Sequence, residues 1–191
     1  MRPRKIVGKL REPDPLRRLE RLNRFIAELQ PRATRTPSLE LTDSGPFERL
    51  LAALSRADVL YLVVGGVACA LNGFIRVTED VAVLVDADPD NIRRLIEALS
   101  QVGDGHAHEL RLEDFADEES AVRLIEDFPI DIFTRMGGKW YADMLPHKRV
   151  HDVEVPIPFV DAEGLILLKS RSSRPQDRTD VEALRGLRDR D

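Results

Sequence analysis

Leu60 to Asp86 reads LYLVVGGVACALNGFIRVTEDVAVLVD, and the fold turns on this stretch. Tyr61 to Val64 is a short apolar, β-branched run that stops at two glycines, the pattern of a buried strand. Gly65 and Gly66 give a tight turn without Cβ atoms, so another group can approach the backbone closely. Val67 to Leu71 reads as a helix opening from that turn. Its free N–H groups and positive dipole end are available to an anion. Arg76 and Thr78 follow. Asp80 then opens a second strand, Val81 to Val85.

The flanks supply helices and further strands. Upstream, Leu16, Leu19, Leu22, Ile26 and Leu29 recur at helical spacing, so Asp14 to Gln30 reads as an amphipathic helix with Asp14 as cap and Pro15 first. Pro31 to Pro37 is a break. Ser44 to Ala57 reads as a second helix, capped by Ser44 or Gly45, with Phe47, Leu50, Leu51 and Leu54 on one face. Downstream, Asp88 caps a helix that starts at Pro89 and buries Ile92, Leu95, Ile96 and Leu99. Gly103 to Gly105 is a turn, His106 to Leu112 alternates as a strand, and Glu113 to Ser120 is an acidic loop. Ala121 to Ile125 and Ile130 to Thr134 read as strands. Gly137-Gly138 starts a short helix containing Trp140 and Tyr141, and Arg149 to Val155 is a strand. Asp161 to Arg171 and Pro175 to Arg190 are the last helices. The expectation is an α/β (α+β) domain, a mixed sheet of about five strands flanked by helices. Residues 1–43 form a basic N-terminal arm and helix, and residues 44–191 form the domain.

Composition narrows the function classes. The chain has 191 residues, 42% of them hydrophobic, enough for a real core in one domain. A single cysteine, Cys69, excludes a disulfide framework and points to a reducing compartment. No apolar run reaches membrane-spanning length, and MRPRKIVGKLREPDP has no hydrophobic leader segment, so a cytoplasmic protein without a membrane partner is expected. A net charge of −5 argues against nucleic-acid binding by the whole surface. The first 24 residues nevertheless carry nine Lys/Arg against three Asp/Glu. A solvated helix and an RNA- or phosphate-contacting arm both fit that excess.

The Gly-Gly turn is not a P-loop, because no Gly-Lys-Ser/Thr follows, and it lacks the G-x-G-x-x-G spacing of a dinucleotide site. Gly65-Gly66, a short helix, Arg76-x-Thr78-x-Asp80 and a hydrophobic strand together resemble the core of the nucleotidyltransferase superfamily, the DNA polymerase β-like fold. Within that group the stretch resembles small bacterial toxin-type members, the AbiEii-like and MenT-like proteins. A second matching stretch is Leu167-Leu-Lys-Ser-Arg-Ser-Ser-Arg-Pro-Gln-Asp-Arg-Thr-Asp180, a Lys, Arg, then Asp-x-x-Asp run. The resemblance implies transfer of a nucleoside monophosphate from a nucleoside triphosphate to a hydroxyl acceptor. It further implies Mg²⁺, a tRNA 3′ end as acceptor, a toxin role and a cognate antitoxin. Antibiotic and protein hydroxyls stay open as acceptors. Gly65, Gly66, Arg76, Thr78, Lys169, Asp177 and Asp180 would hold the nucleotide, with Lys169 on triphosphate oxygens. Asp80 and Asp131 would hold metal.

This chemistry uses two Mg²⁺ ions on shared carboxylates, one for the attacking and one for the leaving oxygen. Residues two apart on a strand share a face, so the family's Asp-x-Asp makes one cradle, and a carboxylate from a neighbouring strand completes it. Asp80 and Asp131 fit the first and third positions. Ala82 stands at the second, and a methyl group ligates nothing. A laboratory substitution, a naturally degenerate member that binds nucleotide without turnover, and chemistry with fewer carboxylates, helped by Asp86, all fit. Arg76, Thr78, Asp80, Asp131 and Lys169 keep the pattern, which favours a single disabling change. The rival class is a non-catalytic nucleotide-binding or interaction module on the same fold.

Other candidates are weaker. Asp86, Asp88 and Asp90 alternate as in a calcium loop, but Pro89 starts a helix inside it. His106, His108, His147, His151 and Cys69 do not converge as a zinc set. Trp140 and Tyr141 offer either a base-stacking surface or core packing.

Overall fold

The computed structural model describes residues 3–8, 46–116, 119–152 and 155–188. Strand β1 is Lys5–Val7. Helix α1 (Pro46–Arg56) leads into β2 (Tyr61–Val64), and α2 (Gly65–Leu71) starts at the next residue. Strand β3 (Val81–Val85) and helix α3 (Pro89–Ser100) follow. Then come β4 (Val122–Ile125), β5 (Pro129–Phe133), β6 (Arg135–Met136) and β7 (Lys139–Trp140). The chain continues through α4 (Tyr141–Met144), β8 (Lys148–His151), β9 (Ile157–Val160), α5 (Ala162–Lys169) and α6 (Pro175–Arg188).

Seven strands form one mixed sheet in the order β1-β4-β5-β3-β2-β9-β8. Strand β3 lies at its centre, parallel to β5 and antiparallel to β2. Every residue of β2 and β3 is buried, so protein covers both faces of the sheet's middle. Helix α1 packs on α3, and α5 packs on α6 and α2. The expected mixed sheet flanked by helices is therefore present, with more strands than about five. Strands β1 and β9 are the additions. Pro156 and Pro158 obscured β9, since proline removes a ladder donor.

Two local expectations fail. His106 to Leu112 is not a strand: His106–Glu109 and Leu112–Phe115 are 3₁₀ turns. The buried Glu126 carboxylate accepts from the Asp104 N–H (2.6 Å) and the Ala107 N–H (3.1 Å), so a side chain satisfies backbone donors that a ladder would otherwise take. Gly137-Gly138 does not start a helix. Both glycines have positive φ, +58° and +77°, and they form the two-residue turn of the β6–β7 hairpin. Trp140 ends that hairpin, and α4 starts at Tyr141. The expected helix over Asp14 to Gln30, the break after it, the caps at Ser44 or Gly45 and the 43/44 boundary lie outside the described residues.

Asp88 caps α3 by accepting from the Asp90 and Asn91 N–H groups, which accounts for the alternate aspartates without calcium. The fully buried Asn91 then ties the sheet to this helix. Its Oδ1 accepts from Leu60 N–H (2.8 Å), and its Nδ2 donates to the carbonyls of Leu60 (3.1 Å) and Asp86 (2.9 Å). Asn91→Ala strands these backbone groups and is expected to lower unfolding free energy by about 2–3 kcal/mol. Urea denaturation checks this; a loss below about 0.5 kcal/mol would refute the clamp.

Candidate active site

Register brings the central residues together. Ala82 on β3 pairs with Asp131 on β5 and with Val64 on β2. Asp80 precedes Ala82 by two residues, on the same side of the extended chain. On the far side of β5, Arg123 of β4 lies directly opposite Asp131. The Arg123 guanidinium donates from Nε to Asp131 Oδ1 (2.7 Å) and from Nη2 to Asp131 Oδ2 (2.7 Å). Nη2 also donates to Asp80 Oδ2 (3.2 Å). Side-chain exposure is 14% for Asp131, 35% for Asp80 and 31% for Arg123, so the pocket of charge opens on the Asp80 side. The hydrogen bonds to Asp131, aided by the two carboxylate charges, raise Arg123 above its ordinary value against the opposing effect of burial.

The glycines are needed for close packing here. A Cβ on Gly66 would lie 2.6 Å from Thr78 Oγ1 and 2.7 Å from Thr78 Cβ. Gly66 therefore makes room for Thr78, which is buried and donates from Oγ1 to Asp80 Oδ1 (3.1 Å). Gly65 has φ of +67°, and a Cβ there would stand 3.0 Å from the Ala82 methyl. The start of α2, and not a turn before it, thus lies close against position 82 and, through Thr78, steadies Asp80. No side chain caps the start of α2.

The other expected residues form a second, buried group. Lys169 ends α5, with its side chain only 3% exposed, and its Nζ lies 2.5 Å from Asp177 Oδ1 and 2.8 Å from Asp180 Oδ2 on α6. Arg76 Nε lies 2.8 Å from Asp180 Oδ1, and Nη2 donates to Oδ2 (3.2 Å). Ser172 donates to Asp177 and Gln176 to Asp180. Burial alone would push Lys169 down and both carboxyls up. Their hydrogen bonds and opposite charges outweigh it, so Lys169 sits above its ordinary value and Asp177 and Asp180 below theirs. Cys69 of α2 backs this group, its thiol pushed up to about 12 by burial first and by Asp180 second. Arg76 and Lys169 are thus spent on Asp180, pinning α5, α6 and the loop before Asp80 against α2.

Several candidates lie elsewhere. Asp86 sits at the opposite end of β3, roughly 13 Å along the strand from position 82, and accepts from the Asp88 N–H. Trp140 is covered by the Arg135 guanidinium, 5.7 Å from its ring centroid, and Tyr141 is buried. Among the described residues, Asp104, His106 and Glu126 bring one ligand atom each within 4.8 Å of one another, a set that can hold a divalent ion. Arg123 escaped sequence reasoning, although a signal existed. Positions 123 and 131 are symmetric about Asp127, so a short hairpin in VRLIEDFPIDIF sets an arginine across from the aspartate.

A family model described as a nucleotidyltransferase of unknown function, DUF6036, matches residues 47–189. The chain belongs to this family. The match takes in every residue of both groups, from Gly65 to Asp180. No curated protein compared with the chain matches it. No helix among the described residues is long and apolar enough to cross a membrane.

The resemblance read from the sequence implies a metal pair at Asp80, position 82 and Asp131. The residues of this nucleotidyltransferase chain do not fit one. Ala82 has no ligand atom, and Arg123 already bonds both remaining carboxylates.

The buried group makes a stability test. Lys169→Met leaves Asp177 without its ammonium partner and is expected to cost about 3–5 kcal/mol in denaturant unfolding. Because Asp177 and Asp180 are held low, their contribution is present above about pH 4 and is lost as pH falls through their folded values. Lys169 is held high, so its part is lost only in strong alkali. Acid titration of the parent should show this loss, and Lys169→Met should show less of it.

Proposed function

We propose that this scaffold serves transfer of a nucleoside monophosphate from a nucleoside triphosphate to a hydroxyl acceptor, and that alanine at position 82 holds turnover low in this chain. An acceptor oxygen attacks the α-phosphorus, the bond to the β-phosphate oxygen breaks, and pyrophosphate leaves. The family match supports nucleotidyl transfer in general. One observation carries the assignment to these residues: Asp80 and Asp131 flank position 82 on adjacent strands, beside Gly65 at the start of α2. Gly65 and the start of α2 would face the triphosphate. Arg76, Thr78, Lys169, Asp177 and Asp180 would act as positioning residues, since their contacts hold the Asp80 loop and the last two helices. The resemblance of Gly65 to Asp80 and of Lys169 to Asp180 to toxin-type members supports a tRNA 3′ end as acceptor, a toxin role, a cognate antitoxin and Mg²⁺ in a metal-competent form.

A second reading has its own support. Arg123 and Ala82 together suit a module that keeps the fold and binds nucleotide without turnover.

The test restores the missing carboxylate. Ala82→Asp and the parent are incubated with Mg²⁺, labelled nucleoside triphosphates and total tRNA. Outer-sphere partners of a metal alone account for about 10- to 100-fold in activity, so the gain of a direct ligand should raise label transfer by at least that factor. Equal labelling by both forms would remove the role given to position 82. No labelling by either, with nucleotide bound, would favour the module.

A further inference from the structure

Two carboxylates held within reach of one group repel each other, and a shared proton or a cation between them relieves the repulsion. Asp80 and Asp131 share such a group, and it is Arg123. Its fork takes both oxygens of Asp131 and one of Asp80, the oxygens a bridging ion would use. Guanidinium stays protonated at any pH the fold survives, so this charge cannot be titrated away. With alanine at 82, two carboxylates face one guanidinium, and the group keeps a single negative charge. An aspartate there would add a second. A divalent ion entering now would lose ligand oxygens to Arg123 and meet a positive charge at contact range.

We propose that Arg123 is the resident cation of this site, standing in for the divalent ion and excluding it. The inference rests on the reading of Asp80, position 82 and Asp131 as the fold's metal position. It adds a second determinant to Ala82: restoring a carboxylate and removing the arginine both favour metal, and together they do so most. Arg123 thus acts as a specificity residue for what the carboxylates bind. Its position follows from the fold, because the β4–β5 hairpin sets residue 123 across from residue 131.

Mn²⁺ alone is the probe, titrated against the full chain with free ion followed by electron paramagnetic resonance. Because Asp104, His106 and Glu126 can also take an ion, only binding abolished by Asp131→Asn counts. The parent is expected to show none at millimolar Mn²⁺. Arg123→Gln should gain Asp131-dependent binding, tighter by about 10- to 100-fold. Arg123→Lys keeps the charge and should stay like the parent. Mn²⁺ should raise the melting temperature of Arg123→Gln, whose carboxylates are otherwise unpaired, by more than it raises that of the parent or of Arg123→Gln/Asp131→Asn.

Parent binding as tight as that of Arg123→Gln would overturn the inference, while Asp131-dependent binding by Ala82→Asp would leave the metal-position reading intact. If the folded double variant Ala82→Asp/Arg123→Gln takes no Asp131-dependent ion, the metal-position reading falls and the inference with it. Should Arg123→Gln fail to fold, the parent and the Ala82→Asp variants decide. Asp131-dependent Mn²⁺ binding by the parent refutes the inference, and so does equally tight binding by Ala82→Asp and by Ala82→Asp/Arg123→Gln, whereas tighter binding by the double variant supports it.

Discussion

Like charges brought together on a sheet need a counter-charge, and much of this chain's arrangement answers that constraint. Asp80 and Asp131 meet because β3 and β5 are adjacent and parallel at the centre of the sheet. Arg123 answers them from β4, at the cross-strand position directly opposite Asp131 on that side. The price of pairing is low, because the arginine is partly exposed and keeps some hydration. The apolar strands around it are free to fill the core.

The same logic operates again behind helix α2, under stricter conditions. There the charges are almost fully buried, and each has more than one partner. Removing one member of such a group leaves an uncompensated charge in a low-dielectric setting, which is far worse than losing an exposed pair. Both groups are built against α2. Gly66 receives Thr78, which bonds Asp80, while Cys69 on the next turn backs Asp180. The loop carrying Arg76, Thr78 and Asp80 is therefore fixed at both ends.

Much of this was legible in the chain because it is local. The Gly-Gly break, the Asp88–Pro89 cap and the periodic Leu and Ile positions each specify an element within a few residues. Asp80, Asp131, Lys169, Asp177 and Asp180 stood out as polar residues in apolar or patterned surroundings. What was not legible depends on contacts distant in sequence. His106 to Leu112 alternates like a strand, yet Glu126, some twenty residues on, takes its backbone donors and turns it into 3₁₀ structure. Strand β1 exists only because β4 offers an edge. Arg123 drew no reading in the sequence, and only register sets it opposite Asp131. Lys169 reads from sequence as a triphosphate contact that Asp177 and Asp180 could orient, and the packing of α6 on α5 pairs its ammonium with both carboxylates.

The meaning of Ala82 changes once Arg123 is considered. From sequence, a pattern intact at every position but one argues for a single disabling change. That argument counts only the residues the pattern names. Arg123 lies outside it, and it satisfies the two carboxylates that remain. A site stripped of one ligand but still built around an ion would leave Asp80 and Asp131 repelling each other when empty. This site has no such deficit, because its counter-charge is covalently part of the chain. The same guanidinium would serve a metal-bearing relative poorly, since it competes for the very oxygens that an ion needs. Position 82 and position 123 are therefore coupled through the carboxylates between them, and the effect of changing either depends on the other.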